Sequence, residues 1–347
     1  MSSIEFDSTG KFLNMKRPLE ILFVQLGTQP PSIFWANVAW LKSTFPKVQI
    51  NLATDVNIQR QVSESINVHT FPETSEFYEM ETSPHSTVFR KGYWLHTMRR
   101  LLAIEEFHRT KPSVPILQIE TDVLILEDFP FEQMASIEKL AWPPVNAIHD
   151  GPALVFTPNL CASEWLSEKI LEQISLDPKV TDMSALKRIS NQYPGQILKL
   201  PVEPPGHKPN HSQEILETNF KGVFDGLTLG RWLTGIDPRN KWGLVEKFMY
   251  AVDHFPDMKH IRPTIEKGRL FIGNLDSGDL YPVYNLHVHS KNKKLFSTRQ
   301  NSRILASLIQ EIKDQSVYSF SIVGFFGAIG QLRRAVLAKL LRVFNSK

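Results

Sequence analysis

Gln118-Ile-Glu-Thr-Asp-Val-Leu-Ile-Leu126 decides how this chain is read. An apolar lead-in from Val114 to Ile119 meets an acidic-x-acidic step, Glu120 and Asp122, and a second apolar run follows. Near-continuous Val, Ile and Leu predict a strand buried on both faces of a parallel sheet. Unpaired carboxylates are costly inside such a strand. The pair is therefore expected where the strand ends, at the C-terminal sheet edge that forms the ligand crevice of α/β folds. Side chains two apart in extended chain share a direction. Glu120 and Asp122 would then face one hard cation carrying phosphate oxygens. The same spacing also suits an acidic strand end capped by water or by an arginine.

Upstream, Leu19–Gly27 reads as a first core strand, and Gly27-Thr-Gln-Pro-Pro31 as the turn that ends it. Ser32 is expected to cap a helix with Trp35, Val38, Ala39 and Leu41 on one face, and Pro46 ends it. Val48–Ala53 follows as a second strand, which makes a right-handed βαβ unit. Gly27 stands alone, without G-x-G-x-x-G, so a dinucleotide-binding dehydrogenase is disfavoured. A third short strand is expected at 66–71. A helix over 89–107 buries Trp94, Leu95, Met98, Leu101, Leu102, Ile104 and Phe107. Arg90, Lys91, Arg99 and Arg100 make that helix cationic just before the acidic step. This suits a diphosphate, which arginine binds in bidentate fashion, and equally suits a solvated amphipathic surface.

Downstream, a short helix over 133–140 precedes a strand within 146–157 that is interrupted at His149-Asp150-Gly151. Helices are expected at 162–175 and 180–192, and the Pro-rich stretch 204–211 reads as a loop over the site edge. Val223–Asn240 holds Asp225 and Asp237 between glycines, with Arg231 and Arg239 near. Such carboxylates serve sugar hydroxyls or base catalysis, while an Asp before Gly also bonds its own backbone in turns. Leu280–Ser290 alternates, with Leu286 and Val288 on one side and Asn285, His287 and His289 on the other. Two imidazoles on one strand face have metal-ligand geometry, or are polar neighbours with satisfied hydrogen bonds.

With 347 residues and 42% hydrophobic content, the chain can bury a large core. A formal charge of +3 gives no reason to expect nucleic acid as a partner. The single Cys161 excludes an intrachain disulfide framework and reads as a core or half-buried thiol rather than a nucleophile. The first residues lack a basic-apolar leader, and no run reaches the ~18 apolar residues of a spanning helix. A cytoplasmic location is the expectation. The last segment differs in kind: 317–330 is apolar and glycine-rich, and 331–344 is basic and amphipathic without an acidic residue. Such a helix lies either on an anionic membrane, as a peripheral attachment, or on the protein's own core.

Four motifs occur in order: F-R-K-G-Y-W-L-x-T-x-x-R from Phe89, E-x-D-V-L-I-L from Glu120, F-D-G-x-x-x-G-x-x-L-x-G-I-D-P-R-N from Phe224, and Y-N-L-H-x-H-S-K from Tyr284. Together they resemble nucleotide-sugar-dependent glycosyltransferases of the GT-A fold, of the kind found in surface-polysaccharide biosynthesis, over residues 19–296. The resemblance implies an α/β, Rossmann-type three-layer sandwich with a mostly parallel central sheet. It implies a tail over 1–17, a nucleotide-sugar-binding half over 18–145, an acceptor half over 146–296 and a helical basic segment over 297–347. It also implies Mn²⁺ or Mg²⁺ held by Asp122 with His287 or His289, and Glu120 on the ribose or on a metal-bound water. Arg90, Trp94, Arg100, Lys291 and Lys293 would contact the donor. Asp225 or Asp237 would take the acceptor's proton if the anomeric centre inverts, Asp225 being the first choice. The partners implied are a nucleotide-sugar donor and a saccharide or lipid-linked acceptor. Glu120 stands where the strict motif has Asp, which weakens direct two-carboxylate coordination. A sugar-phosphate nucleotidyltransferase would need a glycine-rich basic loop after the first strand, and Gly27–Pro31 does not provide one. A membrane-associated nucleotide- or glycan-binding protein without turnover is the non-enzymatic alternative.

Overall fold

The computed structural model describes residues 18–58, 66–71, 93–204, 220–234 and 261–318, apart from 276 and 298. Arg90, the 204–211 loop from residue 205 onward, Asp237 and the basic stretch from 319 onward lie outside the described residues. The first strand, β1 (Glu20–Gln25), shows how the layers arise. Ile21 and Phe23 enter one apolar cluster, while Leu22 and Val24 enter a second on the opposite face. Alternation along a strand buried on both sides thus divides the core into two layers around one sheet.

β2 (Ile50–Thr54), β3 (Asn67–Thr70) and β4 (Ile116–Ile119) extend that sheet, with β1 parallel to both β2 and β4 and β2 parallel to β3. β6 (Leu140–Trp142), β7 (Leu154–Thr157) and β8 (Ile197–Lys199) complete the order β3-β2-β1-β4-β7-β6-β8. Only β7 runs against its neighbours, so the sheet is mostly parallel. Helix α1 (Ser32–Thr44) packs on one face; Pro31 stands at its N-cap and Ser32 is its first residue, so the expected Ser32 cap is not formed. On the other lie α2 (Tyr93–Thr110), α4 (Leu160–Leu176) and α5 (Asp182–Gln192), while α3 (Phe131–Met134) is a single turn. This is the three-layer α/β sandwich expected from the sequence.

Three elements depart from the sequence reading. The strand expected within 146–157 is ordered only as β7, because Pro144 and Asp150 pair in an isolated bridge and hold the intervening residues in a tight loop. The short helix expected at 133–140 occupies Phe131–Met134 and yields to β6. The second apolar run after Asp122 leaves the main sheet altogether. As β5 (Val123–Ile125) it pairs antiparallel with β12 (Asn285–His287), after β11 (Leu280–Pro282) has ended at a break in the predicted late strand. A hairpin of β9 (Ile261–Glu266) and β10 (Arg269–Asn274) was not anticipated. It turns at Lys267 and Gly268, both at positive φ, as a two-residue hairpin turn requires. After α6 (Thr228–Thr234), the last described helix is α7 (Asn301–Tyr318). Among the described residues, no helix is long and apolar enough to cross a membrane.

His108 ties α2 to the lead-in of β4. Its imidazole lies 2.9 Å from both Ser163 Oγ and the Val114 carbonyl oxygen, fully buried. Burial lowers its pKa from 6.5 to about 4, against the pull of the Val114 hydrogen bond. The unfolded chain therefore takes up this proton first as pH falls. Its contribution to stability is complete above 6.5 and is lost on the way down to about 4, roughly 3 kcal/mol at ~1.4 kcal/mol per unit. Urea midpoints at pH 7.5, 5.5 and 4.5 check this. The wild type should lose stability over that range more steeply than His108→Gln, and parallel curves would refute it.

Candidate metal centre

β4 ends at Ile119, and the chain turns sharply: Glu120 N donates to the Ala153 carbonyl, and Val123 N donates back to the Glu120 carbonyl at 3.0 Å. Glu120 and Asp122 thus sit in a tight turn rather than in extended chain. Their carboxylates converge because the turn folds them together, which corrects the alternation argument made from spacing. β5 then leads away beside β12 in a register that sets His287 opposite Val123. Val288 N donates to the Asp122 carbonyl at 2.8 Å and fastens the two segments together.

His287 Nε2 consequently lies 3.2 Å from Glu120 Oε2 and 3.3 Å from Asp122 Oδ2. One ligand atom from each of Glu120, Asp122 and His287 lies within 4.8 Å of the other two. Donors in adjacent positions on an ion with bonds of about 2.1 Å stand about 3 Å apart. The imidazole-to-carboxylate spacings fit that pattern, and one imidazole with carboxylates suits Mn²⁺ or Mg²⁺. Burial works to raise the Glu120 carboxyl, but Arg100 and then His287 outweigh it and hold it at about 2. Asp122, only 2% exposed, is held far below the usual carboxylate range, because His287 and Lys291 overcome the effect of its burial. Burial pulls His287 down, yet Asp122 and Glu120 raise it to about 10. Without an ion, the protein's own cations balance the acids.

Arg100, expected on the donor, pairs with two carboxylates. Its Nη2 lies 2.7 Å from Glu120 Oε1 and 3.3 Å from Asp182 Oδ2, so it joins α2 and the start of α5 to the acidic turn. Lys291 Nζ contacts Asp122 Oδ2. His289 is not at the cluster's centre. Its ring lies over the His287 ring with centroids 3.9 Å apart, and burial, then the His287 charge, press its pKa well below 6.5. Of the two imidazoles, His287 is the one that meets the carboxylates. Trp94 follows Tyr93 in the first turn of α2, its ring edge-on to that of Tyr93 at 4.9 Å. Lys293 is exposed in the 3-10 turn Lys293–Phe296, beyond the three residues that converge.

Asp225 takes a different part from the expected base. Oδ1 accepts the Leu227 and Leu229 N–H groups, and Oδ2 accepts those of Gly230 at 2.7 Å and His287 at 2.9 Å. With both oxygens engaged by backbone donors and 1% exposure, its carboxylate has no open side for an acceptor hydroxyl. It caps α6 and grips the main chain of His287 instead. Gly230 lies so close that a Cβ there would meet the His287 carbonyl oxygen at 2.3 Å and Asp225 Oδ2 at 2.4 Å. Asn285 completes the clamp, accepting from Asp225 N and donating to Asp225 O. The glycine of the first turn has an equally local reason: Gly27 has φ +73, its N–H donates to Asp55, and a Cβ would strike the His96 ring at 2.7 Å.

Sequence reasoning missed Tyr93, Asp182 and Asn285. Tyr93 and Asn285 stand inside the quoted motifs, but nothing in the pattern separates them from core residues. The Tyr93 hydroxyl is pushed up by burial and by the nearby charges of Glu120 and Asp182. Asp182 gives no local signal, since its partner Arg100 is 82 positions away.

The fold is thus of the three-layer α/β class with its acidic turn at the C-terminal end of a central strand. No protein-family profile and no curated relative matches the sequence. Solved structures similar to it include the PaToxG glycosyltransferase, at 13% identity, 52% of this chain, 72% of that chain and a TM-score of 0.34. A glycosyltransferase involved in glycosylation of the major capsid of PBCV-1 shares 12% identity over 52% and 80% of the two chains, TM-score 0.33. Galactosyltransferase LgtC, in complex with donor and acceptor sugar analogues, shares 8% over 52% and 73%, TM-score 0.35. Likeness at this level leaves the reading of function to the chemistry of the site.

Proposed function

We propose that this chain is a metal-dependent glycosyltransferase that moves a sugar from a nucleotide-sugar donor to a hydroxyl of a saccharide or lipid-linked acceptor. The observation that carries the proposal is the meeting of Glu120, Asp122 and His287 at the C-terminal end of β4, two distant stretches brought together by the β5–β12 pair. The order of sequence motifs supports it independently, because the residues that meet come from two of those motifs.

In this reading Asp122 and His287 hold Mn²⁺ or Mg²⁺, and Glu120, steadied by Arg100, takes either the ion directly or a water on it. The bound ion supplies a Lewis acid that offsets charge building on the departing nucleoside diphosphate. Lys291 lies next to that charge and adds a point cation for it. Asp225 fixes the His287 main chain and so sets where the imidazole stands. Asp237 retains the role of acceptor base as a proposal. Tyr93, whose hydroxyl is influenced by Glu120 and Asp182, and Trp94 beside it are the residues assigned to the donor's nucleoside.

A panel of nucleotide sugars assayed for release of nucleoside diphosphate, with Mn²⁺ and with EDTA, tests the proposal. Turnover of at least one donor that Mn²⁺ restores after chelation is the expected result. Binding of nucleotide sugars with no release for any donor and acceptor extract would favour the non-catalytic alternative.

A further inference from the structure

Lys291 holds a position unlike that of an ordinary surface lysine. Its backbone has φ +56, a left-handed conformation that residues with a Cβ adopt rarely, and its N–H donates to the Val288 carbonyl at 3.0 Å. That turn, directly after β12, folds the side chain back over the acidic step 169 positions earlier. The ammonium rests on Asp122 Oδ2, the same oxygen that lies 3.3 Å from His287 Nε2. Lys291 therefore stands against the Asp122 oxygen that faces His287. The two partners differ in freedom. Asp122 is 2% exposed and fixed by its turn, whereas the Lys291 side chain is 33% exposed and opens to solvent.

We propose that Lys291 is an exchangeable counter-cation: it neutralises Asp122 while the site lacks a metal, leaves when a divalent ion binds, and is captured by the diphosphate of the incoming donor. This rests on the metal-dependent reading above and adds how that site is loaded. One carboxylate oxygen cannot closely hold an ammonium and a dication together, because the two cations repel at contact distance. A metal taken on Oδ2, the oxygen that faces His287, therefore has to break the Lys291–Asp122 pair. The freed ammonium regains an anionic partner only when phosphate oxygens arrive on the open side of the site. Metal and diphosphate then favour each other's binding, and by linkage the enhancement is equal in both directions.

The test is Mn²⁺ titration of the full chain, followed by electron paramagnetic resonance of free Mn²⁺, with and without inorganic pyrophosphate and corrected for the Mn²⁺–pyrophosphate complex in protein-free solution. Lys291→Met keeps the stem and removes the charge; thermal melts check that it folds. The wild type should bind Mn²⁺ at least about tenfold more tightly with pyrophosphate present. Lys291→Met should bind Mn²⁺ alone about tenfold more tightly than the wild type and lose most of the pyrophosphate enhancement. Mn²⁺ binding that Asp122→Asn abolishes but Lys291→Met leaves unchanged or weaker would overturn the exchange while leaving the metal reading intact. No saturable Mn²⁺ binding to the wild type, with or without pyrophosphate, would overturn both.

Discussion

Asp122→Asn is expected to lower nucleoside diphosphate release by about 10³-fold, roughly 4 kcal/mol of transition-state stabilisation. The substitution keeps the shape of the side chain and removes its charge. Asp122 is the least exposed of the acids in the cluster and accepts from both His287 and Lys291, so no neighbour can replace it. Glu120 is already engaged by Arg100 at 2.7 Å. Loss of Mn²⁺ binding should accompany loss of turnover, with far-UV circular dichroism unchanged. Full turnover by Asp122→Asn would remove the metal assignment.

The second large effect is at Asp225. Asp225→Ala leaves the N–H groups of Leu227, Leu229, Gly230 and His287 without their acceptor, and most of these lie in the buried core. Each orphaned buried donor costs about 1–3 kcal/mol, partly relieved by water, so a total near 4 kcal/mol is expected in urea unfolding. Asp225→Asn should fall between wild type and Ala, since one oxygen remains while the amide presents N–H to N–H. Either variant should also weaken Mn²⁺ binding in the protein that remains folded, because His287 loses its anchor. A solvent-facing base would behave oppositely, with turnover abolished while stability and Mn²⁺ affinity stayed intact. That result would restore the expectation of Asp225 as acceptor base.

Much of the frame was legible because its signals are local. β1, α1 and β2 follow from apolar runs, an apolar helical face and the Gly27 turn, and each formed within a few residues of its expected bounds. The acidic step was correctly put at a strand end, on the argument that carboxylates avoid a doubly buried strand. What spacing could not convey was the pairing of β5 with β12, since neither strand carries any mark of its distant partner. The same limit hid the role of Asp225. Its bond to Leu227 N is the short-range turn contact that Asp-Gly suggests, but its grip on His287 depends on a strand 62 positions away. Arg100 was read as cationic surface or as a diphosphate ligand, and only the approach of α5 shows it bridging two carboxylates. The β9–β10 hairpin escaped for a chemical reason: Pro263 inside a strand and Lys267-Gly268 at its turn are weak signals beside Asn-Gly.

The β5–β12 pair also fixes an order of events during synthesis. A nascent chain that has left the ribosome as far as α5 already contains both acids of the central turn and the Arg100 that pairs with Glu120, but neither His287 nor Lys291 yet exists to offset Asp122. The cluster is completed only when the returning strand pairs with β5. Fragments cut short before that strand hold the acidic turn without the imidazole that meets it.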